Sequence, residues 1–86
     1  MRLNVHPNPA TDYVSINYFL NKVVTFDINL FDVTGKRLRQ ISPLKETDPG
    51  EHSIQLNTAD LEEGMYFIVL KNRDFTISEK IVILRR

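Results

Sequence analysis

The sequence VTFDINL at residues 24–30 alternates apolar and polar side chains without a break. Because successive side chains of a β-strand point to opposite faces, such a stretch would have one apolar face and one polar face. Its apolar positions are Val24, Phe26, Ile28 and Leu30, and residues of this kind suit a pleated, half-buried surface. We therefore predict a strand here that is central to the hydrophobic core.

Period-two patterns recur on both sides of this stretch, and the sequence contains no helical pattern. Seven strands are predicted in all, with the other six at residues 3–5, 14–18, 37–41, 52–56, 65–70 and 75–84. Short strands separated by regular turn signals are typical of an antiparallel sandwich. The predicted fold class is therefore all-β, an immunoglobulin-like antiparallel β-sandwich of about seven strands.

Three connections between these strands carry distinct signals. Residues 32–36 are predicted to form a hairpin turn in which Gly35 adopts the left-handed conformation that a side chain resists. Two prolines between residues 42 and 50 predict an exposed loop, since proline interrupts β pairing. At residues 57–61, Asn57 or Thr58 is expected to cap a single helical turn that ends at Gly64.

The length and composition favour one small neutral domain. The 86 residues are too few for two cores, so residues 1–86 are predicted to form a single domain. The 11 basic and 11 acidic residues cancel, and no apolar run approaches the roughly 20 residues that a membrane helix needs. We therefore expect neither nucleic-acid nor membrane binding. The start at Met1, directly before a strand-like segment, suggests a domain excised from a larger protein.

No group of residues has a catalytic or metal-binding spacing. His6 and His52 are far apart in sequence and the chain has no cysteine, so no short motif supplies a zinc ligand set. Asp27, Asn29 and Asp32 superficially resemble a calcium loop, but the apolar residues between them follow strand alternation. The serines lack a glycine-flanked elbow, and the 3 glycines form no phosphate-binding loop. We expect no enzymatic activity, no cofactor and no metal.

Two features leave more than one interpretation open. In NVHPNPA at residues 4–10, two prolines are expected to fix an extended path, which a rigid lead into the first strand would explain. Residues 65–70 and 81–84 are apolar on both faces, whereas a strand with one solvated face should alternate. One interpretation is that β-branched residues are simply good strand formers and that loops partly cover the outer face. The other is that the surface or edge of these strands binds another chain, by strand addition or by burial of an apolar patch.

Four motifs in order make the chain resemble the C-terminal sorting domains, type A, of proteins exported by the bacterial type IX, or Por, secretion system. They are VHPNPA at residues 5–10, LFDVTGK at 30–36, LEEGMYFI at 61–68, and the terminal Lys80, Ile81 and Val82. The resemblance covers almost the whole chain. It departs from the family at His6, where a tyrosine is usual, and in the extra aliphatic residues Ile83 and Leu84.

The resemblance implies a non-enzymatic sorting signal that lies behind an N-terminal cargo domain and directs it across the outer membrane. The implied partners are the type IX secretion machinery and a sortase-like cysteine protease that removes the domain. The implied location is the periplasm, in transit to the outer-membrane surface or the extracellular space. Weak self-association through the late strands is also expected. Cleavage is expected upstream of Pro7, in or before residues 1–4, where the chain is expected to be least tied down. The implied sorting residues are Pro7, Asn8, Pro9, Gly35, Lys36, Gly64, Tyr66, Lys80, Ile81 and Val82.

Two of these residues also have a structural interpretation. Tyr66 follows a corner and is expected to hydrogen-bond back across it, as the tyrosine corner of immunoglobulin-like domains does. Lys80 either faces a receptor or is a solvated strand position that discourages edge aggregation.

A second function, from a different class, is an immunoglobulin-like adhesion or carbohydrate-binding module that stays on its parent protein. Sugar sites usually need exposed aromatic platforms, but tryptophan is absent and most Phe and Tyr residues fall on strand patterns.

Overall fold

The computed structural model describes residues 1–85 and contains seven β-strands. They are β1 (Arg2–His6), β2 (Tyr13–Leu20), β3 (Val24–Asp32), β4 (Arg37–Thr47), β5 (Gly50–Asn57), β6 (Gly64–Lys71) and β7 (Thr76–Ile83). All strand pairs are antiparallel, in a three-stranded sheet of order β1-β2-β5 and a four-stranded sheet of order β4-β3-β6-β7. The two sheets pack as an open sandwich, so the predicted all-β fold is confirmed. No helix long and apolar enough to cross a bilayer occurs within residues 1–85.

The hydrophobic core lies between the two sheets and takes one face of each central strand. β3 lies between β4 and β6, and its side chains Phe26, Ile28 and Leu30 are buried in the core, as the alternation at residues 24–30 predicts. The Tyr18 ring of β2 packs against the Phe26 ring of β3 in a T-shaped arrangement, with centroids 5.5 Å apart. The largest fully buried side chains are Phe26, Ile16, Leu20, Ile28, Leu30, Ile68, Leu70, Ile81, Ile83, Val14 and Thr58.

The predicted exposed loop between residues 42 and 50 is wrong, because β4 continues through Pro43 to Thr47. The register to β3 shifts between the pairs Ile28–Ser42 and Phe26–Lys45, so Pro43 lies in an irregularity of the pairing. β4 is also an edge strand and has no neighbouring strand on its outer side, so a proline there, which lacks an N–H donor, removes no hydrogen bond on that side. Only Asp48 and Pro49 separate β4 from β5.

The predicted helical turn at residues 57–61 is a single hydrogen-bonded turn outside any helix. The Leu61 N–H donates to the Thr58 carbonyl oxygen at 3.1 Å, and the Ala59 N–H donates to Asn57 Oδ1 at 2.9 Å. Asn57 therefore caps the turn as expected, but the chain leaves after one bond and does not begin a helix.

Two expectations about the first residues are also wrong. Residues 7–9 bend instead of running extended, and both X-Pro bonds, His6–Pro7 and Asn8–Pro9, are cis. The segment expected to be least tied down, upstream of Pro7, is β1, which pairs with β2 along its whole length. Pairing with β2 supplies hydrogen bonds that local sequence does not reveal.

Candidate recognition surface

The outer faces of the two sheets differ in chemistry. The outer face of the three-stranded sheet is polar apart from two aromatic residues. They are Tyr13, which is 46% exposed, and Phe19, over which the Arg2 guanidinium lies at 5.5 Å from the ring centroid. Register and alternation place on it Arg2, Asn4, His6, Ser15, Asn17, Glu51, Ser53 and Gln55. This is the ordinary pattern for a sheet with one solvated face.

The outer face of the four-stranded sheet is apolar at one end. We call the following residues the apolar face: Phe31, Met65, Phe67, Val69, Val82 and Leu84. Met65 and Leu84 are 43% and 45% exposed, and the other four are half-buried. The apolar density of the late strands is therefore real surface, not a second core. A contiguous patch of this kind commonly marks an interaction site.

The outer edge of β7 is covered from Lys80 onward by the opening segment, which we define as residues 5–10. Asn8 Nδ2 donates to the Lys80 carbonyl oxygen at 3.0 Å, and the Val82 N–H donates to Asn8 Oδ1 at 3.0 Å. The Ala10 N–H donates to the Val82 carbonyl oxygen at 2.8 Å, and the Leu84 N–H donates to the Ala10 carbonyl oxygen at 2.9 Å. The Asn8 carboxamide thus takes the place of a peptide group in a parallel ladder that Ala10 continues.

The three terminal motif residues differ in what they present. Lys80 is exposed and Val82 is half-buried on the outer face, whereas Ile81 points inward and is 0% exposed. Ile81 is therefore a core residue that packs with Ile83, and only Lys80 and Val82 offer side chains to a partner in the folded domain.

The turn between β3 and β4 is held by the side chain of Asp32. Its Oδ1 accepts hydrogen bonds from the Thr34 hydroxyl at 2.6 Å, the Thr34 N–H at 2.9 Å and the Lys36 N–H at 3.1 Å. The Thr34 hydroxyl bond is the main cause that lowers the pKa of Asp32 below its ordinary value. Gly35 has a φ of +87°, so the predicted left-handed glycine is present. Lys36 is exposed at the end of this turn.

Tyr66 makes the corner hydrogen bond that its sequence context predicts. Its hydroxyl donates to the Glu62 carbonyl oxygen at 2.6 Å, and its ring is buried. Gly64 begins β6 two residues before it. In the four-stranded sheet Asp32, Tyr66 and Ile81 lie opposite one another on β3, β6 and β7, so the turn at Gly35 and the corner at Tyr66 belong to the same end of the sheet.

Arg85, which no sequence signal singled out, ties down the end of the described chain. Its guanidinium donates to the carbonyl oxygens of Thr11, Thr58 and Leu61, the last at 2.8 Å. Its N–H donates to Glu63 Oε1 at 3.0 Å. Three of these acceptors are main-chain carbonyls, which every residue type carries, so no sequence signal could have predicted the contacts.

Each histidine ring contacts a polar group close to it. His6 Nε2 contacts Asn17 Nδ2 at 2.8 Å, and His52 Nε2 contacts the Asp48 carbonyl oxygen at 2.8 Å. Within residues 1–85, no three His, Asp or Glu side chains lie close enough together to hold a metal ion.

The sequence matches the family model of the secretion system C-terminal sorting domain, of the Por secretion tails, over residues 4–84. The chain belongs to this family. It is a non-catalytic C-terminal sorting signal of the type IX secretion system. Membership implies recognition by the type IX machinery and secretion across the outer membrane. A search of curated proteins found no match.

The four motifs that carry the resemblance meet at one end of the sorting domain. Pro7, Asn8 and Pro9 lie in the opening segment along the β7 edge, more than 70 residues from Lys80 in sequence. The β3–β4 turn and the Tyr66 corner lie at the same end of the four-stranded sheet as Ile81. Motifs that are separate in sequence therefore form one continuous region of the sorting domain.

Proposed function

We propose that the type IX machinery reads this sorting domain as a folded unit, through side chains of the apolar face and Lys80. The observation that carries the proposal is the composition of β7. Ile81 and Ile83 are both 0% exposed, so the terminal strand is part of the core and is not a free tail. Lys80 and Val82 alternate with them and point outward, which supports recognition of the surface that the fold presents.

The covered edge of β7 favours patch burial over strand addition. Strand addition needs free N–H and C=O groups along an edge. Between Lys80 and Leu84, four such groups are already bonded to Asn8 and Ala10. A partner that added a strand here would first have to break these four hydrogen bonds, whereas a partner that covers the side chains would not.

We further propose that residues 1–86 are a single type A sorting domain that follows a larger cargo domain. A sortase-like protease would remove it during passage from the periplasm to the outer-membrane surface or the extracellular space. The pairing of β1 with β2 favours a cut before Arg2. Such a cut would leave the sandwich intact, whereas a cut inside β1 requires the strand to detach first. The family match favours this function over a retained adhesion or carbohydrate-binding module.

A reporter fusion tests the proposal. Residues 1–86 are fused behind a periplasmic reporter in a type IX-competent bacterium, and surface or extracellular reporter is measured against reporter alone. The double variant K80A/V82A removes the two outward side chains of the terminal motif. The matched control K22A/V23A removes an exposed Lys and Val at the β2–β3 turn.

We expect delivery of the wild-type and control fusions and a marked loss of delivery for K80A/V82A, with thermal unfolding measured on each purified domain to verify folding. No delivery of the wild-type fusion would contradict the sorting function in this host. Full delivery of K80A/V82A would contradict recognition through these side chains.

A further inference from the structure

A row of four side chains crosses the outer face of the four-stranded sheet. Register places Arg37 on β4, Phe31 on β3, Phe67 on β6 and Lys80 on β7 opposite one another in that order. The two aromatic side chains are half-buried and the two cations are exposed. Neighbouring strands are about 4.8 Å apart, so the backbones that carry the cations are separated by about 14 Å.

The charges of this row have no acidic partners on the sheet. The one ion pair within residues 1–85 joins Arg39 to Asp60, so neither Arg37 nor Lys80 takes part in one. Lys71, also on this outer face, lies opposite Asp27 in the strand register and so has an acidic neighbour, although the two form no ion pair within residues 1–85. The face is therefore apolar in the middle and positive at both sides, although the whole chain is neutral.

Charge argues against a second copy as the occupant of this face. When two copies bring these rows into register, each cation lies over a cation of the other copy, whichever way the rows run. Repulsion between like charges at an interface costs affinity. A membrane is also disfavoured, since binding to anionic lipid usually needs a cluster of roughly four or more basic residues, and this row has two.

We infer that the apolar face docks on a protein surface of the secretion machinery that is aliphatic or aromatic in the middle and carries carboxylates at both sides. The inference rests on the proposed function, because it describes the chemistry of the partner that reads the domain. Phe31 and Phe67 would bury their exposed area against the middle of that surface. Arg37 and Lys80 would meet its carboxylates and orient the domain, which gives specificity and a faster encounter.

Charge reversal in the reporter fusion tests the inference. The variants are R37E, K80E and R37E/K80E, and the matched control is K22E, a cation on the β2–β3 turn away from the row. All three substituted positions are exposed, so the purified domains should unfold at temperatures close to that of the wild type. We expect R37E/K80E to lower delivery at least about tenfold, the equivalent of about 1.4 kcal/mol, each single variant to lower it less, and K22E to leave it unchanged.

Three outcomes would overturn the inference while leaving the sorting function itself intact, because the wild-type fusion is still delivered. Delivery of R37E/K80E at the wild-type level, while the wild type is delivered, would show that the partner is not acidic. Flotation of the domain with vesicles of phosphatidylglycerol and phosphatidylcholine in equal parts, lost in R37E/K80E, would assign the face to lipid. A dimer in light scattering that F67S abolishes would assign it to a second copy. We expect neither flotation nor a dimer, because repulsion between the cations of the two rows disfavours the weak self-association that the apolar late strands by themselves suggest.

Discussion

Replacing Asn8 with alanine should uncover the β7 edge while leaving the core intact. The Asn8 carboxamide donates one hydrogen bond, to the Lys80 carbonyl, and accepts one, from the Val82 N–H. A net hydrogen bond contributes about 0.5–1.5 kcal/mol to stability. Asn8 is exposed, so water can reach the two groups that it leaves, and the sum should lie near the lower end, at about 1 kcal/mol. For a domain of this size that lowers the melting temperature by about 4–8 °C.

The variant N8D separates the two halves of the interaction. A carboxylate still accepts from the Val82 N–H but cannot donate to the Lys80 carbonyl, and it brings a charged oxygen close to that carbonyl oxygen. We therefore expect N8D to destabilise the domain at least as much as N8A near neutral pH. The matched control is N4A, because Asn4 is an exposed asparagine on the outer face of β1.

Hydrogen exchange of the Val82 amide, followed by NMR, is the decisive measurement because its acceptor is the Asn8 side chain. In N8A the Val82 amide should lose more protection than the Ile68 amide of β6, which reports on global unfolding. If Val82 and Ile68 lose protection equally, or if neither changes, then the side-chain ladder does not hold this edge and our reasoning is refuted.

Three further predictions concern the core and the corner. Ile81→Ala removes a side chain that is 0% exposed and should lower the free energy of unfolding, measured with urea, by about 2–5 kcal/mol. A smaller loss than that caused by Val82→Ala would contradict the placement of Ile81 in the core. Tyr66→Phe deletes only the hydroxyl that donates to the Glu62 carbonyl and should lower the free energy of unfolding by about 1 kcal/mol in the same measurement. An unchanged free energy of unfolding would show that the corner hydrogen bond does not stabilise the domain. Asn29→Val should raise the urea midpoint of unfolding, because Asn29 Oδ1 is buried without a hydrogen-bond partner within residues 1–85 and a β-branched residue suits a central strand. A lowered midpoint would show that the amide stabilises the sheet.

The position of Ile81 affects how experiments on the terminal motif are interpreted. Deleting the chain from Lys80 onward would remove two fully buried isoleucines, Ile81 and Ile83, together with the contacts of Arg85. Loss of secretion after such a deletion would then report unfolding as readily as loss of a recognised residue. Substitution of Lys80 or Val82 avoids this ambiguity, because their side chains point away from the core.

Features that depend on neighbours in sequence were predictable. The alternation at residues 24–30 identified β3 as a central strand, since the period of two is a local property of the backbone. Gly35 and Tyr66 were predicted for the same reason, because the turn and the corner are each closed by a hydrogen bond between residues only four positions apart. The continuation of β4 through Pro43 was not, because only the register with β3 accommodates that proline.

The sequence by itself determined the strand pattern, the absence of a catalytic motif and the four motifs of the sorting family. Only the tertiary structure decided that these motifs form one region, because Asn8 and Lys80 are 72 residues apart and meet through a main-chain carbonyl. It also decided that Ile81 is buried while Lys80 and Val82 are presented, since a run of aliphatic residues does not reveal which face meets the core. The physical reason is that pairing of a strand edge and burial of a strand face both depend on the neighbouring strands, so the sequence of one strand specifies neither.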